Sequence, residues 1–147
     1  MIAIYCLCFL SLIYQLYALN NGVGIKPAMG YNVWNAVHCD VNETFFKAQA
    51  DLLVKLGLKD LGYNYANLDD CWQVGRDNIT NKIIVDSTKF PSGIASLVTY
   101  INKLGLKMGI YSDAGVNTCA GRPGSLNYEV IDAQTYADWG IEYLKYE

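Results

Sequence analysis

The chain has 147 residues, of which 52% are hydrophobic, and it carries a net charge of −3 at pH 7. This length and apolar content are sufficient for one domain with a hydrophobic core. Mild acidity without a run of basic residues argues against nucleic acid or an anionic membrane as the partner.

The first residues predict a secretory signal peptide that is separate from the fold. Residues 2–16 are almost continuously apolar, and the tripeptide 16–18 resembles a small-residue cleavage site. The apolar run is short for a membrane span, and a retained anchor is the alternative interpretation. We therefore expect a signal peptide at 1–18, one domain at 19–147 and a secreted protein, with no membrane contact after the signal is removed.

Secretion determines how the five cysteines are interpreted, because disulfides persist in oxidising compartments. Two cysteines would leave with the signal, and Cys39, Cys71 and Cys119 would remain. Cys39 and Cys71 each follow a predicted strand end on the same side of the fold. We expect these two to pair and Cys119 to be unpaired. The tripeptides that begin at Asn42 and Asn78 match the N-glycosylation pattern of secreted proteins.

Short apolar segments predict four strands, and these lie at 28–31, 63–68, 107–111 and 141–146. Residues 73–91 are polar and rich in turn-forming residues, so we expect an excursion loop there with one brief extended piece at 83–85. Residues 116–129 predict a second loop for the same reason.

Three segments between these strands have apolar residues at helical spacing. The first follows a candidate N-cap at Asp40 or Asn42, the second follows Ser92, and each of the three ends at a glycine. We expect the helices to bury their apolar positions, which are Phe45, Leu52, Leu53 and Leu56 in the first, Ile94, Leu97, Val98, Ile101 and Leu104 in the second, and Val130, Ala133 and Ala137 in the third.

The alternation of strand and helix predicts parallel strands joined by right-handed crossovers. Either a doubly wound sheet or part of a (β/α)8 barrel would fit this pattern. A nucleotide-binding sheet carries a glycine-rich first turn, which this chain lacks, whereas a barrel builds its site from several strand ends. The sequence therefore predicts an α/β fold that is part of a TIM barrel, with about four βα units.

Polar and aromatic residues lie at or just after the predicted strand ends: Trp34, Asp69, Asp70, Tyr111, Asp113, Lys145 and Glu147. Several converging carboxylates suggest either a metal site or sugar hydrolysis. The single His38 has no partner at ligand spacing, so we expect no metal and no cofactor. Hydrolysis needs one carboxylate as nucleophile and another as general acid. Lys145 and Glu147 share a strand face, and the cation would keep the carboxylate ionised.

Each of these features also has a simpler interpretation. Adjacent carboxylates at Asp69 and Asp70 are common in solvated turns. The segment from Lys145 to Glu147 is also compatible with a frayed, charged end of a chain. Residue chemistry alone leaves both interpretations open.

Five motifs occur in order: Met-Gly-Tyr-Asn-Val-Trp at 29–34, Leu-Asp-Asp-Cys-Trp at 68–72, Gly-Ile-Tyr-Ser-Asp-Ala-Gly at 109–115, Thr-Cys-Ala-Gly-Arg-Pro-Gly-Ser at 118–125 and Tyr-Leu-Lys-Tyr at 143–146. Together they resemble the secreted fungal α-galactosidases, or melibiases, of glycoside hydrolase family 27. The resemblance implies a (β/α)8 barrel followed by a β-sandwich. It also implies hydrolysis of terminal α-galactosides, such as melibiose and raffinose-type sugars, with retention through a covalent intermediate.

The resemblance also implies roles for individual residues. Asp69 and Asp70 would bind galactose hydroxyls together with Lys145, and Trp34 and Tyr111 would form the pocket walls. Glu147 stands where the family has its aspartate nucleophile. The pair Cys39–Cys71 matches a family disulfide, whereas Cys119 would pair with a cysteine beyond Glu147.

The family's acid/base aspartate, later sugar ligands and second half of the barrel would also lie beyond Glu147. The resemblance therefore implies an N-terminal half of an α-galactosidase that is inactive alone. The alternative is a remnant with a galactoside-binding or purely structural role. The open barrel edges would favour self-association.

Overall fold

The computed structural model describes residues 21–147, and the predicted signal peptide lies outside this range. The helices and strands in chain order are β1 (Gly30–Asn32), α1 (Trp34–Val37), α2 (Glu43–Lys55), β2 (Tyr65–Leu68), β3 (Gln73–Arg76), β4 (Ile83–Val85), α3 (Ile94–Lys103), β5 (Lys107–Ser112), α4 (Glu129–Trp139) and β6 (Tyr143–Tyr146). Short 3-10 turns occupy His38–Asp40 and Lys59–Leu61. In the described part of the chain, no helix has the length and apolarity needed to cross a membrane.

Four strands form one parallel sheet in the order β1-β2-β5-β6. Successive βα units therefore add to the same side of the sheet, whereas a doubly wound sheet reverses direction at a switch point. The register places Asn32 level with Asn67, Gly109 and Tyr143. All four strands point their carboxyl ends to one edge, so residues that follow them lie close together.

The core lies between the sheet and the helices α2, α3 and α4. The predicted apolar face of α3 is confirmed, because Ile94, Leu97, Val98 and Ile101 are buried. The predicted glycine stops are also confirmed. Gly57, Gly105 and Gly140 have φ values of 72°, 71° and 82°, in the left-handed region that glycine adopts without strain.

The predicted buried faces of the first and third helices are partly wrong. Of the positions predicted for the first helix, Leu53 is buried, whereas Leu52 and the C-cap residue Leu56 are 40% and 64% exposed, because α2 packs on the core through Phe46 and Ala50 together with Leu53. In α4, Val130, Ala133 and Ala137 are exposed, and the buried positions are Asp132, Thr135 and Tyr136. Asp132 can be buried because Arg76 pairs with it.

Two further local predictions are corrected. Residues 73–91 are not only a loop, because β3 and β4 within them form an antiparallel hairpin with an irregular register between Gln73 and Gly75. Ser92 does not cap α3, whose N-cap is Gly93. The Ser92 backbone N–H instead donates to Glu43 Oε2 at 3.0 Å, and its hydroxyl donates to Glu43 Oε1.

Glu43, in the first turn of α2, makes the stability of the fold sensitive to acid. Burial by itself would raise the pKa of Glu43, but hydrogen bonds from Lys47 and Ser92 outweigh burial and lower the pKa to about 2. The folded pKa is below the unfolded value of 4.5. Glu43 therefore contributes stability above the unfolded value, and that contribution is lost as the pH falls through the folded value.

We expect Glu43→Gln to lower the free energy of unfolding at neutral pH and to lose this effect as the pH falls from 4.5 to about 2. Urea titrations across this range measure the difference. Glu129→Gln, at an exposed residue in the first turn of α4, is the matched control. An equal destabilisation by Glu43→Gln at all pH values would contradict the prediction.

Candidate active site

The carboxyl edge of the sheet holds a small cleft of about 100 Å³. Its lining includes all six side chains that the sequence places in a sugar site, together with one cysteine: Trp34, Asp69, Asp70, Tyr111, Cys119, Lys145 and Glu147. These residues come from four separate strand ends and one loop. The architecture therefore brings the predicted residues together, although it does not by itself assign their roles.

Asp69 follows β2 and is only 3% exposed. Its Oδ2 accepts hydrogen bonds from Asn32 Nδ2 at 2.7 Å and from Lys145 Nζ at 3.1 Å. Its Oδ1 accepts the backbone N–H of Asp70 at 2.8 Å. The cationic partner that a buried carboxylate pair needs is thus Lys145, 76 residues further along the chain.

Asp70 is 2% exposed and is bound by backbone and hydroxyl donors. Its Oδ1 accepts the backbone N–H of Cys71 at 2.7 Å and the hydroxyl of Thr118 at 2.9 Å. Its Oδ2 accepts the backbone N–H of Ala120 at 2.9 Å. The loop after β5 therefore fixes this carboxylate.

An ionised carboxylate offers about four acceptor positions on its two oxygens. Asp69 and Asp70 each use three of them within the protein. One position remains on Asp69 Oδ1 and one on Asp70 Oδ2. The cleft can thus accept two hydroxyl groups, one from each carboxylate.

The cleft is also lined by Lys145, Glu147 and Tyr111, which contact one another. Lys145 Nζ lies 3.0 Å from Glu147 Oε1 and 4.8 Å from the centre of the Tyr111 ring. The Tyr111 hydroxyl donates to Glu147 Oε2 at 3.3 Å. The hydrogen bond from Lys145 lowers the pKa of Glu147. Burial would lower the pKa of Lys145, but hydrogen bonds to Glu147 and Asp69 outweigh burial and raise it.

Three residues complete this part of the molecule. Cys39 and Cys71 form a disulfide, as the sequence predicts, and Cys71 directly follows Asp70. Cys119 is a free, exposed thiol whose Sγ lies 3.4 Å from Glu147 Oε2. In the described part of the chain, donor atoms of Asp113, Cys119 and Glu147 lie within 4.8 Å of one another, an arrangement that exposed acidic groups often show.

Sequence reasoning missed three contributors to the site: Asn32, Thr118 and Cys119. Asn32 ends β1 and binds Asp69, which is a position that the strand-end argument could have included. Thr118 and Cys119 lie in a loop, and no spacing rule predicts where a loop returns. The predicted glycosylation acceptors Asn42 and Asn78 are both exposed, and Asn42 also caps α2 by accepting the N–H of Phe45.

Comparisons with known proteins agree on the family. The Melibiase_2 family model, described as alpha galactosidase A, matches residues 26–147. "Probable alpha-galactosidase B" from Aspergillus clavatus is 57% identical over 129 residues, which is 86% of this chain and 29% of the relative. Alpha-galactosidase I from Mortierella vinacea has 52% identity and a TM-score of 0.84, and the match covers 87% of this chain and 32% of that one. The Saccharomyces cerevisiae alpha-galactosidase solved with raffinose has 45% identity and a TM-score of 0.83, and the match covers 86% of this chain and 28% of that one.

These matches confirm the predicted fold class. The parallel sheet and its helices are an N-terminal part of a (β/α)8 barrel, superposing on alpha-galactosidases of known structure. The chain spans 28–32% of the length of the relatives described above. Since the family model matches most of the sequence, the chain belongs to the Melibiase_2 family, alpha galactosidase A.

Proposed function

We propose that this chain forms the galactose-binding and nucleophile-bearing part of a retaining α-galactosidase site. The observation that carries the proposal is the convergence of Asp69, Asp70, Lys145 and Glu147 on one cleft. The free acceptor positions of Asp69 and Asp70 lie beside the ion pair of Lys145 and Glu147, in which Lys145 favours the ionised form of the Glu147 carboxylate. Small α-galactosides such as melibiose or raffinose are the proposed ligands, and a raffinose complex of the Saccharomyces cerevisiae relative supports this choice.

In this proposal the sugar is held before any bond changes. Asp69 and Asp70 each accept one galactose hydroxyl at their remaining acceptor positions, and Lys145 donates to a sugar oxygen. Trp34 closes one side of the cleft, and Tyr111 lies along the other. Hydrogen bonds between charged groups and neutral hydroxyls each contribute about 1.5–3 kcal/mol.

Glu147 would then attack the anomeric carbon and form a glycosyl ester, while the bond to the leaving oxygen breaks. Lys145 supports this step because it keeps the carboxylate ionised. Glutamate is one methylene longer than the aspartate that the family resemblance leads us to expect. The longer side chain displaces the attacking oxygen by about 1 Å, which can reduce a rate about a hundredfold.

A second candidate function is galactoside binding without hydrolysis, and the roles assigned to the three cleft carboxylates favour it for this chain. Protonation of the leaving oxygen requires a carboxyl group that carries a proton. Asp69 and Asp70 are each held by three donors within the protein, and their remaining acceptor positions are assigned to sugar hydroxyls. Glu147 is already assigned to attack. We therefore expect binding with little or no turnover.

Titration of the full chain with methyl α-galactoside, followed by NMR, tests this proposal. We expect saturable binding, and we expect Asp70→Ala to weaken it at least about tenfold because a charged acceptor is lost. Asp60→Ala, at an exposed carboxylate outside the cleft, is the matched control. Methyl α-glucoside, which differs only in the orientation of one hydroxyl, is the control ligand.

A chromogenic α-galactoside measures turnover in the same samples. No release of chromogen by a chain that binds galactoside would support the binding function. Release that disappears with Asp70→Ala would show that the chain hydrolyses its substrate and would exclude the second candidate. Equal binding of the galactoside by wild type and Asp70→Ala would contradict both.

We also propose that the protein is secreted after removal of residues 1–18, leaving one domain at 19–147. The Cys39–Cys71 disulfide supports an oxidising compartment, and the exposure of Asn42 and Asn78 is compatible with N-glycans. A mass loss on treatment of the secreted chain with an N-glycosidase tests the glycans.

A further inference from the structure

We infer that Asn32 is a positioning residue of this site, because its one side chain fixes two of the proposed sugar-binding residues. Asn32 Nδ2 donates to Asp69 Oδ2 at 2.7 Å, and Asn32 Oδ1 accepts the backbone N–H of Trp34 at 2.9 Å. The inference rests on the proposed function for the identity of the ligand. The two contacts themselves do not depend on it.

The orientation of the Asn32 amide is determined by its neighbours. Asp69 Oδ2 can only accept, and the Trp34 N–H can only donate. If the amide turned over, Oδ1 would face a carboxylate oxygen and Nδ2 would face an N–H group. Both hydrogen bonds would then be replaced by repulsive contacts, so the residue locks its two partners in one arrangement.

The contact between Asn32 and Asp69 determines which carboxylate oxygen of Asp69 can still accept a hydrogen bond from a ligand. Asn32 and Lys145 together occupy Oδ2, and the backbone N–H of Asp70 occupies part of Oδ1. Lys145 also binds Glu147 at 3.0 Å, so its ammonium is shared between two carboxylates. Asn32 is the neutral donor that binds Asp69 Oδ2 alone of these carboxylates, and it thereby keeps Oδ1 directed at the ligand.

The contact with Trp34 sets the start of α1. Asn32 is the last residue of β1, and Trp34 is the first residue of the four-residue helix. Backbone N–H groups at a helix start lack partners within the helix. The Val33 N-cap supplies no side-chain acceptor, so the amide of Asn32 holds the Trp34 backbone at the point where the chain turns out of the sheet.

Two substitutions in the full chain test this role, with methyl α-galactoside as the probe. Asn32→Ala removes both contacts, and we expect it to weaken binding about tenfold. Asn32→Asp keeps an acceptor for Trp34 but places a second carboxylate beside Asp69, so binding at neutral pH should be weaker still. Asn35→Ala, at an exposed asparagine of α1, is the matched control and should bind like wild type.

The pH dependence of Asn32→Asp separates positioning from a structural defect. The charged groups near position 32 are Asp69, which Asn32 contacts directly, Lys145, which binds Asp69, and Glu147, which binds Lys145. Acidification from about pH 7 to about pH 4 returns a proton to the new carboxyl, restores a donor and should recover part of the binding. Wild type carries a neutral amide at position 32, so it should show no such recovery over the same range. Parallel pH profiles for the two proteins would overturn the inference.

Hydrogen exchange of the Trp34 backbone N–H, without ligand, tests the second contact independently. We expect exchange at least about tenfold faster in Asn32→Ala and little changed in Asn32→Asp. Unchanged exchange in Asn32→Ala would overturn the inference whether or not sugar binds. Faster exchange in a chain whose wild type does not bind methyl α-galactoside would refute the proposed function and leave the positioning of Trp34 supported.

Discussion

Replacing either partner of the Cys39–Cys71 disulfide with serine is expected to lower the free energy of unfolding by about 3–4 kcal/mol. The bond joins residues 32 positions apart, and its loss restores the freedom of that loop in the unfolded chain. Domains of this size are stable by only about 5–15 kcal/mol, so the effect is a large part of the total. Urea unfolding of Cys39→Ser under non-reducing conditions measures it.

The loss of stability at Cys71 should also depend on which residue replaces the cysteine. Cys71 has a φ of 72°, in the left-handed region, so Cys71→Gly should be about 1 kcal/mol less destabilising than Cys71→Ser. Cys119→Ser is the control, because its thiol is free within the described residues. Equal stability of Cys39→Ser and wild type would contradict the prediction. The site would also respond, since Cys71 donates its N–H to Asp70.

Arg76→Leu is expected to destabilise the protein by about 3–5 kcal/mol, because it leaves the carboxylate of Asp132 buried without its cation. Asp132 is 1% exposed, and Arg76 binds both of its oxygens. Arg76 also donates to the backbone carbonyl of Gly124 at 2.7 Å and lies 4.1 Å from the Tyr128 ring. One side chain thus ties the β3–β4 hairpin to α4 and to the loop before it.

The double variant Arg76→Leu/Asp132→Asn is the matched comparison and should be markedly more stable than Arg76→Leu, since the unpaired charge is gone. Denaturation of both variants at neutral pH measures the difference. Destabilisation of Arg76→Leu by less than about 1 kcal/mol would show that the pair is dispensable. Arg76→Leu should also weaken galactoside binding, because the loop that Arg76 holds through Gly124 also carries Thr118, which donates to Asp70.

The sequence predicts this site well because strand polarity converts order along the chain into proximity. Asp69, Tyr111 and Lys145 are far apart in sequence, yet each lies at the carboxyl end of a parallel strand. Once parallel strands are predicted, their ends must share one edge of the sheet. The presence of Asp69, Tyr111 and Lys145 at one edge is therefore predicted from the sequence, whereas the direct contact between Lys145 and Asp69 is a finding of the structure.

The helix faces illustrate what periodicity does not determine. Apolar residues at helical spacing in α4 predict burial of Val130, which is 86% exposed. The buried residues of α4 include Asp132, whose burial depends on Arg76, 56 positions away. No local pattern in α4 indicates that partner. The β3–β4 hairpin is missed for the same reason, because the side chains of Gln73 and Arg76 donate to the distant Pro123 and Asp132.

The strand order has a consequence for how copies of the chain can meet. Within residues 21–147, β1 and β6 each pair on one side only, and they are the two edge strands of the sheet. A strand that extends this parallel sheet must keep the same direction, so β6 of one copy matches β1 of the next. Such head-to-tail contacts either close into a ring or continue as a filament. In such a contact between copies of residues 21–147, two copies would supply eight strands, which is the number in a (β/α)8 ring.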